Sequence, residues 1–152
     1  MKIQFCSDLH LEMHQNEQWI RENPLIPTGD ILIIAGDTDY LGSNFGKQDF
    51  FKKISDEFEH SYLIPGNHEY YSGYDISTAF GKTNEKIHDN VTLINNDIVK
   101  YEEVDLIFST MWSLIGRFRY EIMNAITDFR RINYKGQPLS SNIFNELHRK
   151  SF

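Results

Sequence analysis

The chain has 152 residues, a hydrophobic content of 40%, a charged content of 24% and a formal net charge of −7. This length suits one domain with a real core, and 14% aromatic residues exclude disorder throughout. The longest apolar run, residues 31–35, is far too short to span a bilayer, and no signal-peptide pattern opens the chain. We therefore expect a cytoplasmic protein without a membrane partner, whose single cysteine, Cys6, is a small buried residue rather than a nucleophile.

The first part of the chain predicts alternating strands and helices. Residues 2–7 alternate apolar and polar side chains, whereas residues 31–35 are apolar on both faces, as in a central parallel strand. Apolar spacing predicts a helix over 44–59 before a third strand at 62–64, and a shorter helix over 17–23. The order strand, helix, strand implies a right-handed crossover and a parallel sheet.

The second part of the chain predicts further helices around an antiparallel meander. Asp75 is a candidate cap for the first of these helices, and turn residues at 95–96 and 102–103 separate the strands. The predicted helices cover residues 75–87, 118–129 and 140–152, and the predicted strands cover residues 91–94, 98–101 and 104–109.

The charge is unevenly distributed along the chain. Residues 111–152 carry 7 basic against 3 acidic side chains, although the whole chain has 15 Lys and Arg against 22 Asp and Glu. The acidic body suits cation binding and makes nucleic acid a less expected partner. The basic end either faces an anionic substrate or forms a solvated face that balances the acidic part; its residues are Arg117, Arg119, Arg130, Arg131 and Lys135.

Three polar clusters directly follow the first three predicted strands. They are residues 7–10 (Ser-Asp-Leu-His), 36–37 (Gly-Asp) and 66–69 (Gly-Asn-His-Glu). Taken singly, such clusters are common in surface loops, helix caps and turns. All three in order, each at a strand end, indicate instead a site at the C-terminal edge of a parallel sheet.

The side chains in these clusters suit a divalent metal site. Asp8 and His10 are two residues apart and point the same way in an extended segment, and the Asp37 carboxylate can bridge two ions. Asn67 offers an amide oxygen, and His68 is adjacent for proton transfer or for hydrogen bonding to a developing charge. Mixed oxygen and nitrogen ligation favours Mn, Fe or Zn, and two such ions suit phosphoester cleavage.

Residues 7–10, 35–37 and 65–69 resemble the first three motifs of the calcineurin-like metallophosphoesterases. Residues 108–113 and 124–132 also resemble a subgroup of predicted phosphohydrolases in that family. The resemblance covers essentially the whole chain. It implies an α/β fold, a mixed-sheet sandwich flanked by helices, with two divalent metal ions.

By this resemblance, five residues receive roles. Asp8 and His10 bind the first metal, Asp37 bridges the two metals, and Asn67 binds the second. His68 stabilises the transition state or protonates the leaving group.

The sequence also departs from the family pattern. The family continues with a strand that ends in a His ligand and with a Gly-His-x-His loop, and neither motif is present. We therefore expect residues 1–152 to be one metallophosphoesterase domain that lacks the C-terminal ligand-bearing part. Its second metal site keeps only Asp37 and Asn67, and its sheet carries an exposed edge or an unburied apolar face.

The expected function is metal-dependent hydrolysis of phosphomonoesters or phosphodiesters, on a small phosphoester or a nucleotide. One alternative is a catalytically inactive module that binds metal or a partner. Another is a truncated fragment of a longer phosphoesterase. A second chain that completes the fold is a further alternative, and nuclease activity through the basic end is a lesser option.

Overall fold

A five-stranded mixed sheet is the centre of the fold in the computed structural model, which describes residues 1–101 and 103–151. The first, second, third and fifth strands in chain order are parallel to one another, and the fourth lies antiparallel at one edge. The sheet strands are β1 (Ile3–Cys6), β2 (Ile31–Ala35), β3 (His60–Ile64), β4 (Thr83–His88) and β5 (Val91–Asn95), in the spatial order β1-β2-β3-β5-β4.

Helices and two hairpins surround this sheet, which confirms the predicted mixed sheet flanked by helices. Short 3-10 helices also lie at Phe45–Lys47, His68–Tyr70 and Ile76–Phe80. The remaining elements are α1 (His14–Glu22), α2 (Asp49–Glu57), β6 (Asp97–Tyr101), β7 (Val104–Phe108), α3 (Arg119–Ala125), α4 (Asp128–Arg131), β8 (Asn133–Tyr134), β9 (Gln137–Pro138) and α5 (Ser141–Lys150).

The two faces of the sheet are covered differently. Leu32 and Leu63 face α2, where Phe51 packs against them in one apolar cluster. On the other face, the β6–β7 hairpin packs Leu106 and Phe108 against the sheet. Both clusters follow from strands that are apolar on both sides, as predicted for residues 31–35.

A third apolar cluster holds the C-terminal part of the chain against the 3-10 helix at Ile76–Phe80. Trp112, Phe129, Phe144 and Leu147 are buried together there. Helix α5 begins at a capped turn, because the Ser140 hydroxyl accepts from the Ile143 N–H at 3.3 Å. This cluster fixes the segment from Thr110 to Asp128 beside the C-terminal edge of the parallel strands.

Two predicted elements in the second part of the chain are wrong. The helix predicted over 75–87 is instead a short 3-10 helix that ends before Gly81, followed by β4, because residues 83–88 pair antiparallel with β5. The meander predicted over 91–109 is divided between two sheets: β5 belongs to the central sheet, whereas β6 and β7, among the described strands, pair only with each other.

Other boundaries differ less. The helix predicted over 44–59 is a 3-10 turn followed by α2, and the helix predicted over 118–129 divides into α3 and α4. The helix predicted over 140–152 is α5, and the predicted end at Phe152 lies outside the described residues, as does Glu102 in the predicted turn.

The sheet ends at β1, whose outer edge has no neighbour among the described strands. Phe5 on this strand is 80% exposed, and Ile107 on the hairpin is 74% exposed.

Cys6 is half-buried, and burial raises the pKa of its thiol to about 11, which opposes thiolate formation. None of the helices in the described part of the chain combines the length and the apolar character that a membrane crossing requires.

Candidate metal centre

The loops that follow β1, β2 and β3 meet at one edge of the sheet. Backbone hydrogen bonds join the first two loops: the Asp8 N–H donates to the Gly36 carbonyl at 3.1 Å, and the His10 N–H donates to the Asp37 carbonyl at 2.9 Å. This is the convergence that the parallel strand order predicts.

Asp8, His10 and Asp37 all have left-handed backbone conformations, with φ of 56°, 48° and 53°. Residues with a β-carbon avoid this region, which costs roughly 1–2 kcal/mol per residue. The two carboxylates and the imidazole each place one ligand atom within 4.8 Å of the others. Their donor chemistry fits Mn, Fe or Zn, so these three residues could hold one divalent cation.

Gly66 lies directly against Asp37. A β-carbon at position 66 would come within 2.2 Å of Asp37 Oδ1, so a larger residue would displace the carboxylate. The backbone N–H of His68 donates to the same oxygen at 3.0 Å. The loop after β3 therefore both makes room for the Asp37 carboxylate and orients it.

Glu69 links the second and third loops through hydrogen bonds to their backbone. Its fully buried carboxylate accepts from the backbone N–H groups of Thr38 and Gly66, each at 2.7 Å, and of Asp37 at 3.1 Å. Burial raises the pKa of Glu69 to about 6, the backbone donors of Thr38 and Gly66 oppose that rise, and the nearby Asp37 charge adds to it. The sequence indicated a buried Glu after His68 but not these partners.

Asn67 is oriented by Tyr71, four residues further along the same loop, and by Asp128 from the C-terminal part of the chain. Its amide nitrogen donates to Asp128 Oδ1 at 2.8 Å and to the Tyr71 hydroxyl at 3.1 Å. Tyr71 in turn donates to Asp128 at 2.5 Å, and burial, followed by this bond, raises the pKa of Tyr71. Because the amide hydrogens face this pair, the Oδ1 of Asn67 is the atom that could bind a cation.

The His68 ring lies between two other rings. Its centroid is 4.3 Å from that of His10 in an edge arrangement and 4.3 Å from that of Tyr71 in a stacked one. His68 Nδ1 is also 3.0 Å from Oε1 of Glu12, a residue that the sequence reasoning missed. The Glu12 side chain is only 4% exposed, and its place after Asp8 and His10 at every second residue was the available signal.

The remaining histidines stay apart from these loops, as the sequence suggested. His14 is 85% exposed beside Glu17, and Nδ1 of His148 lies 2.6 Å from the Trp112 carbonyl oxygen. Within the described residues, the groups of side chains that could hold a metal contain His10 and His68 but no other histidine.

An open cleft of about 540 Å³ borders the three loops. Asp8, Asp37, Asn67 and Asp128 line its polar side. The other side is apolar and comes from the C-terminal part of the chain, through Met111, Trp112, Leu114, Ile115, Ile122, Ile126 and Phe144. The segments 108–113 and 124–132, singled out in the sequence, therefore both contribute to this cleft.

The basic residues of the C-terminal part do not converge on the cleft. Arg119 contacts Asn142, Arg130 donates to a backbone carbonyl, and Arg131 lies 5.4 Å from the Tyr71 ring centroid. Among the described residues that line the cleft, none is Lys or Arg. This favours the interpretation of these charges as a largely solvated face.

The sequence pattern of the calcineurin-like phosphoesterases matches residues 1–150, and the chain belongs to this family. An uncharacterised protein of Acanthamoeba polyphaga mimivirus, L509, is 30% identical over 150 residues, which cover 86% of this chain and 51% of that protein. The crystal structure of phosphopantetheinyl hydrolase from Mycobacterium tuberculosis matches 99% of this chain and 61% of its own, with a TM-score of 0.57 and 15% identity.

The family resemblance noted in the sequence is thus confirmed, and the structural match supports the fold. The family consists of phosphoesterases that usually bind two divalent metals, and the described residues include candidate ligands. The chain spans about half the length of the curated relative it matches. The expectation that residues 1–152 form one domain without a C-terminal ligand-bearing part stays a prediction.

Proposed function

We propose that this chain is a metal-dependent hydrolase of phosphomonoesters or phosphodiesters with a dinuclear centre. The observation that carries the proposal is the meeting of Asp8, His10 and Asp37 within 4.8 Å, beside the His68 ring. Asp8 and His10 would hold the first cation, Asp37 would bridge, and Asn67 would bind the second. The donor set favours Mn, Fe or Zn.

When bound, the cations would supply activation of a water molecule and neutralise the phosphoryl oxygens. The chain itself supplies orientation and a proton. The His68 N–H and the space at Gly66 hold the Asp37 carboxylate in place, and Asp128 turns the Asn67 amide. The His68 imidazole would protonate the leaving oxygen or stabilise the charge that develops on it.

The cleft supports a small phosphoester as the substrate class. One side carries the candidate metal ligands and the other is apolar, through Met111, Leu114 and Ile126 among others. An apolar organic group next to the phosphate would bury its surface there. A nucleotide is the second choice, and nucleic acid is less suited, because no Lys or Arg stands among the described residues lining the cleft. We further propose that the protein is cytoplasmic.

Hydrolysis of bis(4-nitrophenyl) phosphate with Mn²⁺, before and after chelation, tests the proposal. We expect chelator-sensitive turnover that His68→Ala lowers by about 10²–10⁴-fold, the range for loss of a general acid. His14→Ala is the matched control, since His14 is 85% exposed and lies beside Glu17 outside the cleft. Turnover that survives both chelation and His68→Ala would contradict the mechanism.

A metal-binding module without catalysis is the second candidate. The observation that favours it is that, within the described residues, the groups of side chains that could hold a metal contain no histidine besides His10 and His68, so the proposed second site has only Asp37 and Asn67. Soluble folded protein that binds Mn²⁺ but gives no turnover would support this candidate. A rate per chain that rises with protein concentration would instead indicate that a second chain completes the centre.

A further inference from the structure

Glu12 lies between the two histidines of the candidate centre. Its Oε1 is 3.1 Å from His10 Nδ1 and 3.0 Å from His68 Nδ1, so one carboxylate oxygen contacts both rings. The side chain is 4% exposed, and Oε2 is buried without a hydrogen-bond partner among the described residues. A carboxylate in such a place costs stability unless strong donors face it, and the two imidazoles are those donors.

The backbone around Glu12 explains how it reaches this place. The Leu11 N–H donates to the Thr38 carbonyl at 2.7 Å, and Leu11 is buried. The Met13 N–H donates back to the His10 carbonyl at 3.0 Å, which closes a turn just before α1. Glu12 is therefore held by the packing of its own loop, whereas His68 lies in the loop after β3.

The contact dictates which ring nitrogens carry hydrogen. An ionised carboxylate only accepts hydrogen bonds, so each Nδ1 that contacts Glu12 must donate. A neutral imidazole with hydrogen on Nδ1 has its lone pair on Nε2. For His10, Nε2 would then be the ligand atom, an arrangement in which a carboxylate typically holds the other nitrogen of a metal-bound histidine. For His68, Nε2 would take up a proton from water, and the resulting imidazolium would pass that proton to the leaving oxygen.

We propose that Glu12 is a positioning residue that holds His10 and His68 in the same Nδ1–H tautomer through a single oxygen. The roles of the two Nε2 atoms rest on the proposed function, but the tautomers do not. Glu12 couples the two rings, because both Nδ1 atoms donate to the same oxygen. A change of protonation or position at one histidine therefore changes the hydrogen bond of the other. A cation bound by Glu12, His10 Nδ1 and His68 Nδ1 is the competing arrangement, and it requires both Nδ1 atoms to be free of hydrogen.

Long-range ¹H–¹⁵N NMR of the metal-free protein identifies the tautomer of each histidine directly. The spectra are recorded at a pH at which the imidazole rings are neutral. In the unmodified chain we expect hydrogen on Nδ1 of both His10 and His68. Glu12→Gln keeps an acceptor oxygen and should keep part of this population, whereas Glu12→Leu should shift both rings towards Nε2–H, which free histidine favours. Glu17→Gln is the matched control, because Glu17 is an exposed carboxylate 3.7 Å from His14 Nδ1.

Titration with Mn²⁺ gives a second readout. Loss of the carboxylate behind a histidine ligand typically weakens metal affinity by about 10–100-fold, and we expect that loss in Glu12→Leu but not in Glu17→Gln. Nε2–H tautomers in the unmodified, metal-free protein would overturn the proposal even if Glu12→Leu failed to fold. Nδ1–H tautomers without any hydrolysis would instead leave the proposal standing and overturn the proposed function.

Discussion

At the scale of single residues, Glu69 shows how the candidate centre is held in shape. Three backbone N–H groups from two loops donate to its carboxylate, which is fully buried. A glutamine has one acceptor oxygen and a donor NH₂ group in the same space, so at least one of these donors would lose its partner. A buried donor left without a partner costs about 1–3 kcal/mol, and this cost also applies when the Glu69 carboxyl is protonated, because a protonated carboxyl still accepts on both oxygens.

Glu69→Gln should therefore destabilise the metal-free protein, and the loss should depend on pH. Burial raises the pKa of Glu69 from 4.5 to about 6, so between these values the folded chain binds the proton more tightly than the unfolded chain. The contribution of Glu69 to the free energy of unfolding thus falls by about 2 kcal/mol as pH rises through this window. The variant lacks this dependence, so its deficit should be largest at low pH.

Urea denaturation in chelator from pH 4.5 to 7.5 measures this difference. Glu17→Gln, which removes an exposed carboxylate that is 48% accessible, should show no comparable trend. A deficit in Glu69→Gln that grows with rising pH would contradict the assignment.

The sequence predicted the loop positions of Asp8, His10 and Asp37 because parallel strands end at the same edge. It did not predict Glu12, whose partner His68 comes from a loop 56 positions further along the chain. The orientation of Asn67 depends in the same way on Asp128, which is 61 positions away. Motifs after strands give the candidate ligands, whereas the side chains that orient them depend on tertiary packing.

At the scale of elements, the region after Asp75 shows where periodicity fails. Apolar residues at helical spacing predicted one helix over 75–87, but Gly81 ends a short 3-10 helix. Glycine weakens helices, and residues 83–88 form β4 against the buried strand β5. The hairpin β6–β7 was predicted as strands, but its separation from β5 was not, because strand runs alone do not say which sheet they join.

Asp97 ties β4 to the start of β6. Its carboxylate contacts Lys82 Nζ and Asn84 Nδ2, both at 2.7 Å, and these contacts, Lys82 first, lower the pKa of Asp97. A lowered pKa in the folded state stabilises the fold above the unfolded pKa, and this is lost as pH falls through the folded value. Asp97→Asn should therefore cost up to about 1 kcal/mol at pH 7 and less below pH 3.

Thermal unfolding of Asp97→Asn at the two pH values checks this, with Asp105→Asn as the control in the same hairpin. Asp105 is exposed on β7, and we expect its replacement to leave the melting temperature nearly unchanged. An equal loss of stability for Asp97→Asn at both pH values would mean that the charge of Asp97 does not contribute to the stability of the fold.

At the scale of the whole molecule, two apolar clusters cover the central sheet, but no strand in the described part of the chain pairs with the outer edge of β1. The sequence predicted such an edge or an unburied apolar face from the missing family motifs, and Phe5 is 80% exposed on β1.

The sequence left open whether the basic residues of the C-terminal part converge on the candidate site. In the structure Arg119 begins α3, Arg130 and Arg131 end α4, and Arg117 and Lys135 lie outside both helices, so these residues come from several different elements.

Binding of Mn²⁺ should stabilise the whole molecule. A ligand at 100 times its Kd adds about 2.7 kcal/mol to the free energy of unfolding, which corresponds to roughly 5–10 °C in Tm for a chain of this size. Asp8→Asn should remove most of this gain, because it replaces one proposed carboxylate ligand with an amide. Asp49→Asn, at a side chain that is 82% exposed on α2, should keep the gain in full. Equal gains in the two variants would place the bound ion elsewhere.

The left-handed conformations of Asp8, His10 and Asp37 also bear on how this sequence can drift over generations. Glycine adopts these angles freely, and a single-nucleotide change turns either aspartate codon into a glycine codon. Such a change relieves strain of roughly 1–2 kcal/mol per position, so stability alone favours it. A lineage without use for these side chains would therefore lose them early, while its core stayed intact. Their joint presence in this chain points to selection for the chemistry of the side chains.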